Sequence, residues 1–219
     1  MTFDEFMDVR NHGFQRVAVV VPMVRVADPQ ENLRNHLEQL KAVFDKGANY
    51  AVAPELGLTG YTCGDLFHSR ALQDAACEAL QGLLDATADW EMIISVGMPV
   101  SVDQAVFNAA VTIFRGSILS VTPKTYLPEY REFYEMRYFA QASEAKCESI
   151  SLCGQDVPFG TDILIHGSHP DAIIYPTICE DDWTPVPPSS RAALAGATIL
   201  ANLSASNIVI GKAAYRESL

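Results

Sequence analysis

Basic residues are scarce in this sequence, and no hydrophobic run is long. The 219 residues include 15 Lys and Arg against 27 Asp and Glu, a formal net charge of −12 at pH 7. Without a basic cluster there is no surface to follow a phosphate backbone, which argues against nucleic-acid binding. No apolar run approaches the ~20 residues that a helix needs to cross a bilayer, and the acidic N-terminus does not resemble a signal peptide. We therefore expect a cytoplasmic protein that binds neither nucleic acid nor membrane.

Cysteine and histidine patterns give no sign of a disulfide framework or a metal site. The five cysteines form an odd set without a C-x-x-C spacing, so we expect reduced thiols. They are Cys63, Cys77, Cys147, Cys153 and Cys179. His166 and His169 share a glycine-containing turn but have no third ligand nearby in sequence, so we expect no bound metal.

Hydrophobic residues make up 49% of the chain, enough for one large domain or two small ones. Apolar periodicity and turn residues predict strands at residues 16–22, 50–54, 92–97, 105–114, 118–122, 163–165, 172–178 and 198–203. They predict helices at residues 2–10, between Asp28 and Gly47, and at residues 69–88 and 190–195. Strand–helix alternation with a hairpin in the middle is typical of a mixed-sheet α/β or α+β domain.

Three chemically capable residues each follow a predicted buried strand. They are Glu55, Lys124 and Cys179. Taken singly, each has an ordinary explanation: a solvated rim carboxylate, a loop charge and a small buried hydrophobe. Since the chemistry of such folds gathers beyond the carboxyl ends of strands, the combination indicates one site.

The local sequences around these residues resemble the nitrilase-like amidases, whose Glu-Lys-Cys triad occurs in this chain order. Residues 53–61 read APELGLTGY, residues 123–128 read PKTYLP, and residues 178–181 read ICED. More narrowly, LPEYREFYE at 127–135, CEDDW at 179–183 and NLSAS at 202–206 are similar to the glutaminase domain of glutamine-dependent NAD synthetases. One departure is Asp182, where that family more often has an apolar residue.

The chemistry of amide hydrolysis calls for these residue types. A thiol with a pKa of ~8.5 is mostly protonated at neutral pH, so a carboxylate must remove its proton during attack on an amide carbon. Glu55 is the expected base, and Cys179 the nucleophile. Lys124 and the backbone N–H of Glu180 are the expected donors to the oxyanion. No histidine is needed in this scheme.

The resemblance also implies supporting residues. Glu132, eight residues after Lys124, is expected to be a second glutamate that orients the lysine and shares its charge. The residues expected to line the glutamine pocket are Tyr61, Tyr130, Glu180, Ser206 and Lys212. Their hydroxyls and charges suit the α-ammonium and α-carboxylate of a free amino acid.

The fold implied by the resemblance is a four-layer αββα sandwich, which we expect to be incomplete at its C-terminal end. Residues 1–219 would form a C-terminally truncated glutaminase domain, with the ATP-dependent synthetase domain absent. The expected reaction, hydrolysis of L-glutamine to glutamate and ammonia, needs no cofactor. ATP and Mg²⁺ are implied only for the synthetase domain, which would use the ammonia to make NAD from deamido-NAD. We also expect homo-oligomers, and low activity and solubility that a longer chain would restore.

Two other interpretations remain. The chain could be a stand-alone nitrilase-superfamily amidase or carbamoylase, or a catalytically silent scaffold with the same fold. The aromatic run at 130–139 and the pair Ser204 and Ser206 favour a glutaminase over the first. The second is disfavoured because a binding module has no need of a glutamate, a lysine and a cysteine at three strand ends.

Overall fold

The computed structural model describes residues 2–167 and 172–218, so His169 and Asp171 lie outside the described residues. The helices are α1 (Phe3–Met7), α2 (Pro29–Phe44), α3 (Arg70–Ala86), α4 (Pro188–Leu194) and α5 (Lys212–Glu217). The strands are β1 (Val17–Val19), β2 (Tyr50–Val52), β3 (Ile93–Val102), β4 (Ala105–Phe114), β5 (Ser117–Pro123), β6 (Ser149–Leu152), β7 (Gln155–Pro158), β8 (Ile165–His166), β9 (Ile173–Ile178) and β10 (Ile199–Leu203). Short 3₁₀ turns cover Val9–His12, Gly64–His68, Glu135–Arg137, Ala142–Glu144 and Cys179–Trp183.

The first sheet has five strands in the order β1-β2-β3-β4-β5. Strands β1, β2 and β3 are parallel to one another. Strand β4 is antiparallel to both of its neighbours, β3 and β5. The predicted β4–β5 hairpin turns at Arg115 and Gly116, whose φ angles are 48° and 76°. Positive φ at both central residues matches the right-handed twist of the flanking strands, so the turn leads β5 back antiparallel to β4. The loop that carries Lys124 therefore starts beside β4.

Two helices cover one face of this sheet. The Asp28 carboxylate caps α2 by accepting the N–H of Glu31 at 3.1 Å, as the sequence predicts. Leu40 of α2 is completely buried, and Leu80 and Leu83 of α3 pack in the same core cluster with side chains of β3 and β4. The apolar residues on the packed face of each helix are three or four positions apart, as in Leu33, Leu37 and Leu40 of α2 and Ala76, Leu80 and Leu83 of α3.

The second sheet, in the order β10-β9-β8, packs on the opposite face of the first. The cluster between the sheets contains Tyr50, Val52, Ile93, Ala110, Ile165, Ile174, Ile178, Cys179, Ala201 and Leu203. Helix α4 lies against β9 on the outer side. The layers are thus helices, sheet, sheet and helix, which confirms the predicted αββα arrangement.

The second sheet leaves the edge strand β1 uncovered. Val17 and Val19 of β1 pair with Tyr50 and Val52 of β2. Paired side chains point to the same face of the sheet, and on β2 that face is covered by the second sheet. They are nevertheless 54% and 77% exposed. An apolar strip therefore lies open next to β10.

The hairpin β6–β7 is absent from the prediction, although SISL at 149–152 alternates polar and apolar residues just before a Cys-Gly turn. Only Leu152 and Val157 of its two strands are buried, and the turn uses Cys153 and Gly154 with φ of 48° and 71°. Helix α5 is also absent from the prediction. In the described part of the chain, no helix is long and apolar enough to cross a membrane.

Candidate active site

Glu55 lies three residues beyond the end of β2, in a sharp turn. Its side chain is buried, and the next residue, Leu56, has a φ of 50°, a left-handed conformation that a leucine rarely adopts. The turn presses against β3 so closely that a Cβ at Gly97 would lie 2.4 Å from the Leu56 nitrogen. A glycine is required there, and the close approach holds the Glu55 carboxylate in place.

Lys124 lies at the end of β5 and is completely buried. Its backbone N–H donates to the Asn108 carbonyl at 2.8 Å, which continues the β4–β5 ladder up to the lysine. Its Nζ donates to Glu55 Oε1 and to both carboxylate oxygens of Glu135, each at 2.7 Å. The structure therefore brings two of the predicted triad residues into direct contact.

The second glutamate against the lysine is Glu135, and the expectation of Glu132 is wrong. Glu132 is exposed, whereas Glu135 is 2% exposed. The loop turns through hydrogen bonds from Phe133 N to Tyr130 O (3.1 Å) and from Glu135 N to Pro128 O (3.3 Å). These bonds direct the side chains of Phe133 and Glu135 inward and leave Glu132 in solvent.

Tyr61 belongs to this charged cluster. Its hydroxyl donates to Glu135 Oε1 at 2.7 Å. Tyr61 does not line the cleft that opens onto Cys179. Burial and the adjacent Glu135 both raise the pKa of Tyr61, so the hydroxyl stays protonated as a donor. Its place is thus beside the second glutamate, where it orients that carboxylate.

The cluster holds one ammonium between two carboxylates. Burial lowers the pKa of Lys124, but Glu55 and Glu135 more than offset this effect and raise it overall, so the lysine remains charged. Burial raises the pKa of Glu135, and the charge of Glu55 raises it further, against the opposing effect of Lys124. The lysine thus has a fixed positive charge and a fixed position, as an oxyanion donor requires.

Asn108 and the Ala205 amide complete the setting of Glu55. The Asn108 Nδ2 donates to Glu55 Oε1 at 2.7 Å, and the Ala205 N–H donates to Oε2 at 2.9 Å. Sequence reasoning missed Asn108, although an asparagine within the apolar strand AVFNAAVTIF was an available signal. A buried amide in such a strand needs a polar partner, and here the partner is Glu55.

Cys179 lies where β9 ends and a 3₁₀ turn begins. It has a φ of 45°, a strained left-handed conformation for a residue with a Cβ. Burial raises its pKa to about 12, and Glu55 also raises it, while Lys124 and the Ser204 hydroxyl lower it. Ser204 Oγ donates to the sulfur at 3.5 Å. The resting group is therefore a thiol, which needs a base before it can attack.

A cleft of about 390 Å³ opens onto Cys179. Four of the five predicted pocket residues line it: Tyr130, Glu180, Ser206 and Lys212. The Tyr130 hydroxyl donates to Glu180 Oε2 at 2.9 Å. These residues come from three separate segments of the chain and meet beside the sulfur.

Lys212 lines this cleft and is held by three neighbouring side chains. Its Nζ donates to Ser206 Oγ and, at 2.5 Å, to Asn207 Oδ1. The same Nζ lies 5.0 Å from the centre of the Trp183 ring, a distance at which an aromatic face attracts a cation. The ammonium is thus fixed where an anionic group of a bound molecule can reach it.

Asp182, the departure from the family pattern, is engaged elsewhere. Its carboxylate oxygens accept from the hydroxyls of Thr177 and Ser189, both at 2.9 Å. These bonds connect the turn that carries Cys179 to β9 and α4.

Across residues 2–167 and 172–218 there is no group of three His, Cys, Asp or Glu side chains placed to hold a metal ion.

The Ser204 contact leads to a prediction about thiol reactivity. A hydrogen bond contributes about 0.5–1.5 kcal/mol, and a Ser204→Ala change removes one that favours the thiolate. We expect the pKa of Cys179 to rise and its alkylation by iodoacetamide to slow by about 3- to 10-fold at any pH below that pKa. Peptide mapping across pH 7–10 measures this rate. The exposed Ser143→Ala is the matched control, and an unchanged rate in Ser204→Ala would show that the hydroxyl does not act on the sulfur.

Comparisons with known proteins show the family of this chain. The carbon-nitrogen hydrolase family model matches residues 16–216. The glutamine-dependent NAD(+) synthetase of Mycobacterium tuberculosis is 44% identical over 215 residues, which are 98% of this chain and 32% of that protein. The chain thus spans about a third of the length of the curated relatives it matches.

Solved structures with the same fold include two kinds of protein. The crystal structure of a glutamine-dependent NAD(+) synthetase from Cytophaga hutchinsonii superimposes with a TM-score of 0.81 at 25% identity, covering 93% of this chain and 33% of that one. An amidase from Nesterenkonia sp. shares the fold with a TM-score of 0.67 at 19% identity, covering 91% of this chain and 68% of that one. Because the family model extends over residues 16–216, a range that includes Glu55, Lys124 and Cys179, the chain belongs to the carbon-nitrogen hydrolase family.

Proposed function

We propose that this chain is the glutamine-hydrolysing part of a glutamine-dependent NAD synthetase. The observation that carries the proposal is the cleft beside Cys179, which combines a fixed ammonium at Lys212 with the Glu180 carboxylate. A free amino acid presents one carboxylate and one ammonium, and this cleft offers a partner for each. The similarity to NAD synthetases over 98% of the chain supports glutamine as that amino acid.

In the first step, the Cys179 sulfur attacks the side-chain amide carbon of glutamine. Glu55 takes the thiol proton, as the high pKa of Cys179 requires. The C–S bond forms and the carbonyl oxygen becomes an oxyanion. Lys124 Nζ and the Glu180 backbone N–H are the proposed donors to it, and their fixed positions minimise reorganisation during the reaction.

In the second step, Glu55 returns its proton to the amide nitrogen and ammonia leaves. The remaining thioester is then attacked by a water molecule that gives its proton to Glu55. The C–S bond breaks, glutamate is released, and Glu55 passes the proton to the leaving sulfur, which restores the thiol. One carboxylate thus acts as base and then acid in each half of the reaction. The hydrogen bonds from Asn108, Lys124 and Ala205 keep it in one position throughout.

Within the same cleft, Lys212 would pair with the α-carboxylate of glutamine, and Glu180 would pair with its α-ammonium. The Tyr130 hydroxyl, which already donates to Glu180, orients that carboxylate. The proposed reaction uses no cofactor. The ammonia would pass to a synthetase domain, where ATP and Mg²⁺ would be used.

Substrate choice tests this function. We expect efficient hydrolysis of L-glutamine and poor hydrolysis of asparagine, simple aliphatic amides and N-carbamoyl amino acids, because a site with charged partners for both ends of an amino acid disfavours molecules that leave them unpaired. Steady-state ammonia release with each compound is the measurement. Equal use of a simple amide would instead support a general amidase.

Lys212→Ala separates binding from chemistry. A charge-assisted hydrogen bond contributes about 1.5–3 kcal/mol, so we expect KM for glutamine to rise by about 10- to 100-fold, with a smaller effect on kcat. Lys146→Ala removes an exposed lysine outside the cleft and should behave as the parent protein does. A fall in kcat with unchanged KM would show that Lys212 does not hold the substrate carboxylate.

A further inference from the structure

Asp181 is a buried carboxylate to which the proposed chemistry gives no role. It is 2% exposed and accepts three backbone N–H groups. Its Oδ1 accepts from Thr125 at 3.0 Å and from Tyr126 at 2.9 Å, and its Oδ2 accepts from Ile178 at 3.1 Å. Three donors on one buried carboxylate form a rigid connection.

The positions of these amides connect the two halves of the site. Thr125 and Tyr126 directly follow Lys124 in the chain, and Ile178 directly precedes Cys179. Lys124 comes from the first sheet and Cys179 from the second. Asp181 therefore joins the loop that carries the lysine to the turn that carries the nucleophile.

The ionised form of Asp181 makes this connection. Burial raises the pKa of Asp181 to about 7, while the backbone N–H groups of Tyr126, Ile178 and Thr125, together with Lys124, lower it. A carboxylate has acceptor sites for all three N–H groups. A neutral asparagine of the same shape has only one acceptor oxygen. Replacing Asp181 by asparagine therefore weakens the connection without changing the side-chain volume.

We propose that Asp181 is a positioning residue that sets the spacing between Lys124 Nζ and the backbone N–H of Glu180, so that both reach the oxyanion. The inference rests on the proposed function, in which those two groups are the oxyanion donors. Such donors act only within about 2.7–3.1 Å of the developing charge. A small shift between the two sheets would therefore reduce amide hydrolysis even with the thiol intact.

The test compares two reactions of Cys179 in Asp181→Asn. Amide hydrolysis passes through an oxyanion, whereas alkylation of the thiol by iodoacetamide does not. We expect kcat for glutamine to fall by about 10- to 100-fold, somewhat less than the loss of a whole oxyanion donor. KM and the alkylation rate should stay within about threefold of those of the parent. Both reactions should do the same in Asp156→Asn, a control that makes the same chemical change at an exposed position outside the site.

Several outcomes would overturn the proposal. Three outcomes would each show that Asp181 does not set the oxyanion donors. These are an unchanged kcat, a change in KM without a change in kcat, and a parallel loss of hydrolysis and alkylation with a lowered melting temperature. If the parent hydrolyses a simple amide and not glutamine, the proposed function fails. The same comparison is then made with that amide, so the two failures remain distinguishable.

Discussion

Cys179→Ala is expected to lower glutamine hydrolysis by on the order of 10⁴-fold or more, because loss of a covalent nucleophile leaves only binding and oxyanion stabilisation. The fold should persist. The thiol makes one side-chain hydrogen bond, from Ser204, and alanine fills most of its volume in the cluster between the sheets. Ammonia release measures the activity, and circular dichroism verifies the fold.

Four matched variants control for this result. Each removes a thiol outside the proposed site and should leave hydrolysis within about twofold of the parent rate, as expected for positions remote from the chemistry. They are Cys63→Ala, Cys77→Ala, Cys147→Ala and Cys153→Ala. An electrophilic glutamine analogue should add to one cysteine only, and peptide mapping that located the adduct elsewhere than Cys179 would refute the assignment.

Glu135→Gln is expected to have the second largest effect. The change leaves Lys124 with one carboxylate partner and places an amide against an ammonium. The side chains of Lys124 and Glu135 are only 0% and 3% exposed. Breaking a buried pair costs about 3–5 kcal/mol of stability. We also expect kcat to fall by about 10²- to 10³-fold, since Lys124 would no longer be held as an oxyanion donor. Chemical denaturation and steady-state kinetics measure the two effects.

Glu132→Gln is the matched control. It makes the same chemical change three residues away on an exposed side chain, so both kcat and the free energy of unfolding should remain close to the parent values. The resemblance to the family alone pointed to Glu132. If Glu132→Gln were the damaging change, the arrangement of the loop around Lys124 would be wrong.

The three candidate catalytic residues could be placed at one site from the sequence because each follows a buried strand. Such strands show as apolar, β-branched runs, and the side chain that follows one is constrained to the sheet edge. Glu55, Lys124 and Cys179 share this property. Periodicity also predicts the mixed-sheet class and the faces of α2 and α3 that pack on the first sheet, whereas the four-layer arrangement is implied by the family resemblance.

Residues in the loops could not be assigned in the same way. The stretch from Pro128 to Glu135 has no period, and the hydrogen bond from Glu135 N to Pro128 O decides which glutamate turns inward. Tyr61 illustrates the same difficulty. Its partner is 74 residues away, and a single sequence carries no signal for such a tertiary pair.

The setting of Glu55 also determines when the site can form during folding. Its Oε2 accepts the Ala205 N–H across 150 residues of chain, and its Oε1 accepts from Lys124 across 69. Closing loops of this length is slow, so contacts within α2 and α3 are expected to form first. The base reaches its final position only when the two sheets have docked. Regained activity therefore reports the last stage of assembly, and a refolding sample can recover its helical signal well before it recovers a working site.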